Sequence, residues 1–225
     1  MKKMVLYHGS SEIVGQPIFG QGKTYNDYGQ GFYCTEHIEL AKEWACTEGV
    51  DGYVNKYELN MDNLRVLNLS SGEYSILHWL ALLVTYRKMR LSTPVMKRGA
   101  EWLREHFLPD ISEYDVIIGY RADDSYFSFA RAFLNNQISL SQLSRAMRLG
   151  KLGEQVVLKS EKAFEVIRFD SYFSVANELY YAKRKTRDYE ARAAYAVEAE
   201  KDDIDGIFMR DIIRKEMKPD DACLR

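Results

Sequence analysis

The chain has 225 residues, 46% of them hydrophobic, which suffices for one large domain or a domain with an accessory lobe and excludes a disordered chain. Its 31 basic and 33 acidic side chains leave a formal charge of −2, so no global field draws it onto nucleic acid or a membrane, although a local basic patch stays open. Three cysteines, Cys34, Cys46 and Cys223, are too few and too scattered for a disulfide framework or a thiolate metal site, and suit a reducing, cytoplasmic compartment.

In chain order, "KMVLYHG" (3–9) reads as a strand, and its apolar run is far too short for a signal peptide. "IFGQGKTYNDYGQG" (18–31) carries four glycines with Asn26 and Asp27, which predicts a long, mobile loop. "GFYCT" is a strand. "EHIELAKEWACTE" sets Ile38, Ala41, Trp44 and Ala45 on one helical face, with Thr35 as the N-cap. "GYVNKYELN" alternates as a strand does, and "RVLNL" is a shorter one. Residues 73–91 and 97–107 read as helices. The apolar "SILHWLALLVTY" (75–86) is about a dozen residues against the roughly 20 that span a bilayer, so a buried helix is expected and no membrane segment. "YDVIIGY" (114–120) is a buried strand. "SYFSFARAFLNN" and "SLSQLSRAMRLG" are helices, the first capped by Asp124 or Ser125 and the second ended by Gly150. "GEQVVLKS" and "AFEVIRFD" suggest a hairpin turning at 160–162. From 172 to 217 the chain is charged and helix-prone without strand signal, so the expected units are 1–170 and a helical extension, 171–225, packed on it.

Four pieces invite a common reading. Tyr7-His8-Gly9-Ser10 ends a strand, "YGQGFYCT" feeds Tyr33 into the next, Trp44 lies on the inward face of the following helix, and Glu154 opens "EQVVLKS". Alone, each has an ordinary explanation: a strand-end histidine, core aromatics, a solvated acid at a strand edge. Together, over roughly 4–48 and 150–160, their order resembles the ADP-ribosyltransferase fold. The branch is the His-Tyr-Glu one of poly-ADP-ribose polymerases and diphtheria-type toxins, and the whole chain is similar to a bacterial family within it.

The resemblance implies an α+β fold, a split β-sandwich with helical insertions and a helical C-terminal segment. It implies NAD as substrate, bound by His8, Gly9, Ser10, Tyr33 and Trp44, with Glu154 as the catalytic residue and no metal. Cleavage of the nicotinamide–ribose bond passes through an oxocarbenium-like transition state, which fixed negative charge in a water-excluding site stabilises. Glu154 would supply that charge and hold a ribose hydroxyl. Tyr33 and Trp44 would stack on the nicotinamide, worth roughly 0.5–1.5 kcal/mol beyond area burial. Gly9 would let backbone approach the carboxamide, and His8 would hydrogen-bond the adenosine-side ribose.

Two departures qualify the match. The serine of the polymerase branch, eight residues past the stacking tyrosine, is Ala41 here. The Glu or Gln that arginine-modifying relatives carry two residues before the catalytic acid is Leu152, which disfavours an arginine acceptor. The phosphates find no P-loop or Rossmann fingerprint; Lys23 or loop N–H groups would have to serve.

Elsewhere, Arg121, Asp123 and Asp124 precede an aromatic-rich helix, and Asp123, Tyr126 or Phe127 either borders an acceptor site or belongs only to the helix start. Lys183, Arg184, Lys185 and Arg187 form a basic cluster that reads as a solvated helix face, or as a site for a phosphate-rich acceptor. The four histidines show no paired ligand spacing, and no Gly-x-Ser-x-Gly elbow supports a triad.

The expected activity is cytoplasmic mono-ADP-ribosylation of an acceptor, protein before nucleic acid, in a toxin or defence effector with an antitoxin partner. An inactive NAD or ADP-ribose module, an NAD glycohydrolase and a protein-docking domain are the competing readings. A tRNA 2′-phosphotransferase lacks its basic constellation here.

Overall fold

The computed structural model describes residues 2–122, 124–148 and 153–224. The expected helix end at Gly150, Asp123, Leu152 and the side chains of Asp124 and Ser125 lie outside the described residues.

Two sheets organise the chain. The first joins β1 (Lys3–Ser10), β3 (Gly52–Asn60) and β7 (Ile167–Val175), all antiparallel, with β3 in the middle. The second runs β2 (Phe32–Cys34), β6 (Glu154–Leu158), β5 (Val116–Tyr120), β4 (Val66–Asn68), antiparallel except for the parallel pair β4–β5. Leu6, Tyr57 and Leu59 of the first sheet and Val116, Ile118, Val156 and Leu158 of the second share one buried cluster. The opposite face of the second sheet, through Ile117 and Val157, belongs to the larger helical core. β5 and β6 are therefore covered on both sides, which explains why their sequences are continuous apolar runs without alternation.

The larger core surrounds α2 (Ile76–Tyr86), whose residues Leu77 to Val84 are all buried. Each fully buried leucine contributes roughly 1.5–3 kcal/mol. At 1.5 Å per residue this helix is about 17 Å long, far short of a bilayer, and no described helix is long and apolar enough to cross a membrane. It is shorter than 73–91 because the helix starts at the Ser75 cap and Arg87 is already extended. Around it lie α3 (Pro94–His106), α4 (Asp124–Leu134) and α5 (Leu140–Ala146). The helix expected at 97–107 starts three residues earlier, because Thr93 caps Met96 N–H at 3.3 Å and proline is tolerated in a first turn.

Three local expectations are corrected. No hairpin joins residues 153–160 to 163–170: a helical turn, α6 (Glu161–Glu165), capped by Ser160, separates β6 from β7, and the strands enter different sheets. Burial of Ala163 and Ile167 against the inter-sheet core rewards that crossing. β7 extends to Val175, so a strand crosses the expected 170/171 boundary, and the helical segment starts with α7 (Asn177–Ala199). Finally, α1 (Ile38–Ala45) is preceded by His37 in the N-cap position with no side-chain bond, while Thr35 Oγ1 accepts from His37 N–H at 3.2 Å.

The basic cluster on α7 is matched to acids of the α1 region. Arg187 meets Glu43 at 2.6 Å, Lys183 meets Glu39 at 3.7 Å, and Lys185 meets Glu48 at 3.8 Å. α8 (Met209–Arg214) returns to α3, where Met209 lies over Gly99.

Candidate functional site

The two sheets touch where β1 leaves the core. Tyr7 and Thr35 exchange both backbone hydrogen bonds, at 2.8 and 2.9 Å. His8 follows at once, and its Nδ1 lies 2.7 Å from the Tyr33 carbonyl. A carbonyl only accepts, so Nδ1 carries the hydrogen and Nε2 is left as an acceptor. Burial holds this imidazole below its ordinary value, outweighing the Tyr33 bond, so it is neutral near pH 7. Asn55, opposite on β3, steadies this strand end by accepting from Val14 N–H at 2.9 Å and donating to the Glu12 carbonyl at 3.2 Å.

His8 and Gly9 form one wall of a cavity of about 210 Å³, and Tyr33 and Trp44 form another part of it. Residues 8, 33 and 44, distant in sequence, thus meet at one cavity, where the sequence reading requires Glu154 as well. Gly9 also serves the packing of the fold. A Cβ there would come within 2.1 Å of the Ala41 carbonyl oxygen and 2.7 Å of Ala45 N, so the missing side chain admits helix α1, which in turn brings Trp44 to the cavity.

The remaining walls were not foreseen. Asn26 and Asp27 come from the loop, Arg87 from the end of α2, Arg121 and Ala122 from beyond β5, and Gln155 from β6. Asp27 is buried. Its Oδ2 accepts from Ala122 N–H at 2.9 Å and from Gln155 Nε2 at 2.8 Å, and Arg87 stands 3.4 Å from Oδ1. Neither Oδ1 nor Trp44 Nε1 has a hydrogen-bond partner among the described residues. Burial raises the Asp27 carboxyl above its ordinary value, although Ala122 N–H, Arg87, Gln155 and Arg121 oppose it. The Arg121 guanidinium lies 4.2 Å from the Trp44 ring centre, and that of Arg87 lies 4.6 Å from Phe127. Two cations, a neutral imidazole and one strained carboxylate therefore surround an aromatic slot.

Glu154 and Ser10 are not part of this wall. Glu154 pairs with Tyr120 at the first position of β6, half-buried, and acts on Tyr28 by its charge. Successive side chains of a strand point to opposite faces, so the chain presents Gln155 to the cavity at Glu154's expense. Ser10 Oγ accepts from Glu12 N–H at 3.1 Å. Lys23 is exposed on the loop, outside the cavity wall, and Ala41 is fully buried beneath Gly9.

The loop 18–31 is pinned in its second half rather than loose. Tyr33 Oη donates to the Gly29 carbonyl at 2.6 Å and accepts from Tyr28 N–H at 3.0 Å. Tyr28 is fully buried and donates to the Tyr120 carbonyl at 2.6 Å. Gly119 is necessary there, because a Cβ would lie 2.5 Å from the Tyr28 hydroxyl. Lys159 Nζ donates to the carbonyls of Tyr28, at 2.8 Å, and Gln30; burial lowers its ammonium to about 8. No group of His, Cys, Asp and Glu side chains suited to a metal ion occurs among the described residues.

The signals that sequence reading missed are few. Gln155 occupies the cavity face of "EQVVL", but with both faces of the strand buried no alternation singles it out. Arg87 ends an apolar helix, and Asp27 reads as a turn former.

Residues 4–169 match the profile of a family described as "Protein of unknown function (DUF3990)". The match covers well over half of the chain, which therefore belongs to that family. No curated protein and no solved structure gives a significant match.

Proposed function

We propose that this DUF3990-family chain is an NAD-dependent mono-ADP-ribosyltransferase, cleaving the nicotinamide–ribose bond and passing ADP-ribose to an acceptor. The observation that carries the reading is the meeting of His8, Tyr33 and Trp44 at one cavity. Those residues carry the motif resemblance, and strands of two different sheets and a helix have to cooperate to unite them.

The chemistry of the cavity is compatible with each role. Neutral His8, its Nδ1 hydrogen committed to Tyr33, offers Nε2 to a ribose hydroxyl donor. The rings of Tyr33 and Trp44 suit a flat heteroaromatic base, and a base stacking on the covered face of Trp44 takes the place of the Arg121 guanidinium. Arg87 and Arg121 favour the anionic end of a dinucleotide. Buried negative charge at Asp27 suits a cationic transition state. A bacterial toxin or defence effector, working in the cytoplasm, held by an antitoxin and acting on a protein acceptor, is the setting we favour.

The second reading is a module that binds NAD or ADP-ribose without turnover, or hydrolyses NAD. It is favoured by the neutral Gln155 on the wall where a carboxylate was expected. Incubation of the full chain with NAD labelled in its adenylate, with and without cell lysate, separates these. Nicotinamide release with protease-sensitive label supports the transferase. Release without label transfer supports the glycohydrolase, and a melting-temperature rise without release supports the module. Absence of all three overturns the NAD reading.

A further inference from the structure

The cavity wall includes Gln155 and not Glu154. Gln155 is buried there. The Gln155 amide nitrogen is committed to Asp27 Oδ2 at 2.8 Å and also lies 3.5 Å from the Tyr120 carbonyl. The amide oxygen is thus the part of this side chain that remains for a ligand. Asp27 sits directly behind it, nine-tenths buried, with one carboxylate oxygen lacking a hydrogen-bond partner among the described residues. Burying a charge there is costly for a fold, and the ion pair with Arg87 at 3.4 Å from Oδ1 offsets only part of that cost.

We propose that Gln155, oriented by Asp27, takes the ligand-facing position that the sequence reading gives to Glu154. The Gln155 amide oxygen accepts a hydrogen bond from a hydroxyl of the bound sugar, and the Asp27 carboxylate supplies the negative charge. The inference rests on the ADP-ribosyl-transfer reading for the identity of that sugar. Gln155 is then the catalytic residue and Asp27 its positioning residue. The bond that breaks joins nicotinamide N1 to ribose C1′, and its electron pair leaves with neutral nicotinamide. The acceptor's lone pair forms the new bond to C1′, and the acceptor's proton goes to solvent. Gln155 exchanges no proton, because an amide is neither acid nor base at neutral pH. The contribution of the pair is orientation and a fixed field in a site of low dielectric.

The test compares Gln155→Ala, Asp27→Asn and Glu154→Gln for nicotinamide release from NAD, with melting curves in the presence and absence of NAD. Gln155→Ala and Asp27→Asn are expected to lower kcat by about 100-fold, the usual scale for one preorganised contact. Each loss should exceed that of Glu154→Gln at least tenfold. Asp27→Asn should keep its KM and its NAD-induced melting shift, and should lose the acid limb of the wild-type pH profile. Gln155→Glu should move the profile to higher pH, because two carboxylates this close share a proton; that variant carries the test if Asp27→Asn does not fold. A loss confined to Glu154→Gln, with the other variants within threefold of wild type, overturns the inference and leaves the transferase reading intact. Wild-type protein that neither binds nor cleaves NAD overturns that reading, and the inference with it.

Discussion

The central strands β5 and β6 bury an aspartate at each end, and the two are in opposite states. At one end Asp115 accepts from Arg65 N–H at 2.7 Å and from Ser160 Oγ at 2.5 Å, with Lys162 at 3.7 Å. Burial pushes its carboxyl up, but Ser160, Arg65 N–H and Lys162 together outweigh that and hold it below its ordinary value. At the other end Asp27 accepts two hydrogen bonds on Oδ2 and has Arg87 at 3.4 Å from Oδ1, yet burial wins. Asp115 fastens β4, β5 and the α6 turn together. Asp27 is strained among two arginines at the edge of a cavity. The contrast separates a charge kept for the fold from one kept in spite of it.

The most severe way to break the contrast is to collapse the cavity end. Gly9→Ala drives a Cβ into the backbone of α1 and should cost about 3 kcal/mol, at the upper end for overpacking, as read from denaturant unfolding. Next in size, Asp115→Asn should lower stability by about 1–2 kcal/mol, the worth of a weakened charge-assisted bond set. Asp27→Asn should leave stability unchanged or raise it by about 1 kcal/mol, roughly 2–4 °C in Tm for a domain of this size. A loss at Asp27 equal to that at Asp115 would make both residues structural.

The pH dependence sharpens the same point. The folded-state pKa of Asp27 lies above the ordinary 3.8. The folded chain therefore takes up this proton before the unfolded chain does as the pH falls. The penalty of the buried charge is full above the raised value and disappears as the pH falls from there to 3.8. The Tm advantage of Asp27→Asn should thus shrink toward pH 4. Asp115 runs the other way: its contribution is complete above 3.8 and is lost as the pH falls through its lowered value. His8, with its folded-state value below 6.5, adds a loss of stability as the pH falls from 6.5 toward that lowered value. A smaller loss than at Asp115 is expected from Tyr33→Phe. It removes the bonds to Gly29 and Tyr28 at a net cost of about 1 kcal/mol and should speed amide exchange over 26–30.

Strand β3 was legible to the residue, because "GYVNKYELN" alternates with one face on the core. β1, β2, β5 and β6 were legible within a residue or two. The turn at 160–165 was not, since Ser160, which caps a helical turn here, serves a hairpin equally well in sequence. His8, Tyr33 and Trp44 were readable because their signals are local: a strand end, a glycine turn, a helical face. Asp27, Arg87 and Gln155 carry no such signal. They become a group only when the loop folds under Tyr120 and α2 ends beside it, which is a tertiary event.

The lysine that clamps the loop has a chemical corollary. With its ammonium lowered to about 8, Lys159 carries a nucleophilic lone pair at mildly alkaline pH, when lysines of ordinary basicity are almost wholly protonated. An amine-directed acylating reagent used sparingly at that pH should mark it early, wherever the reagent can reach it. Each acylation would remove the tether to Tyr28 and Gln30, so reagent uptake at this one nitrogen would report how firmly the glycine-rich segment is held.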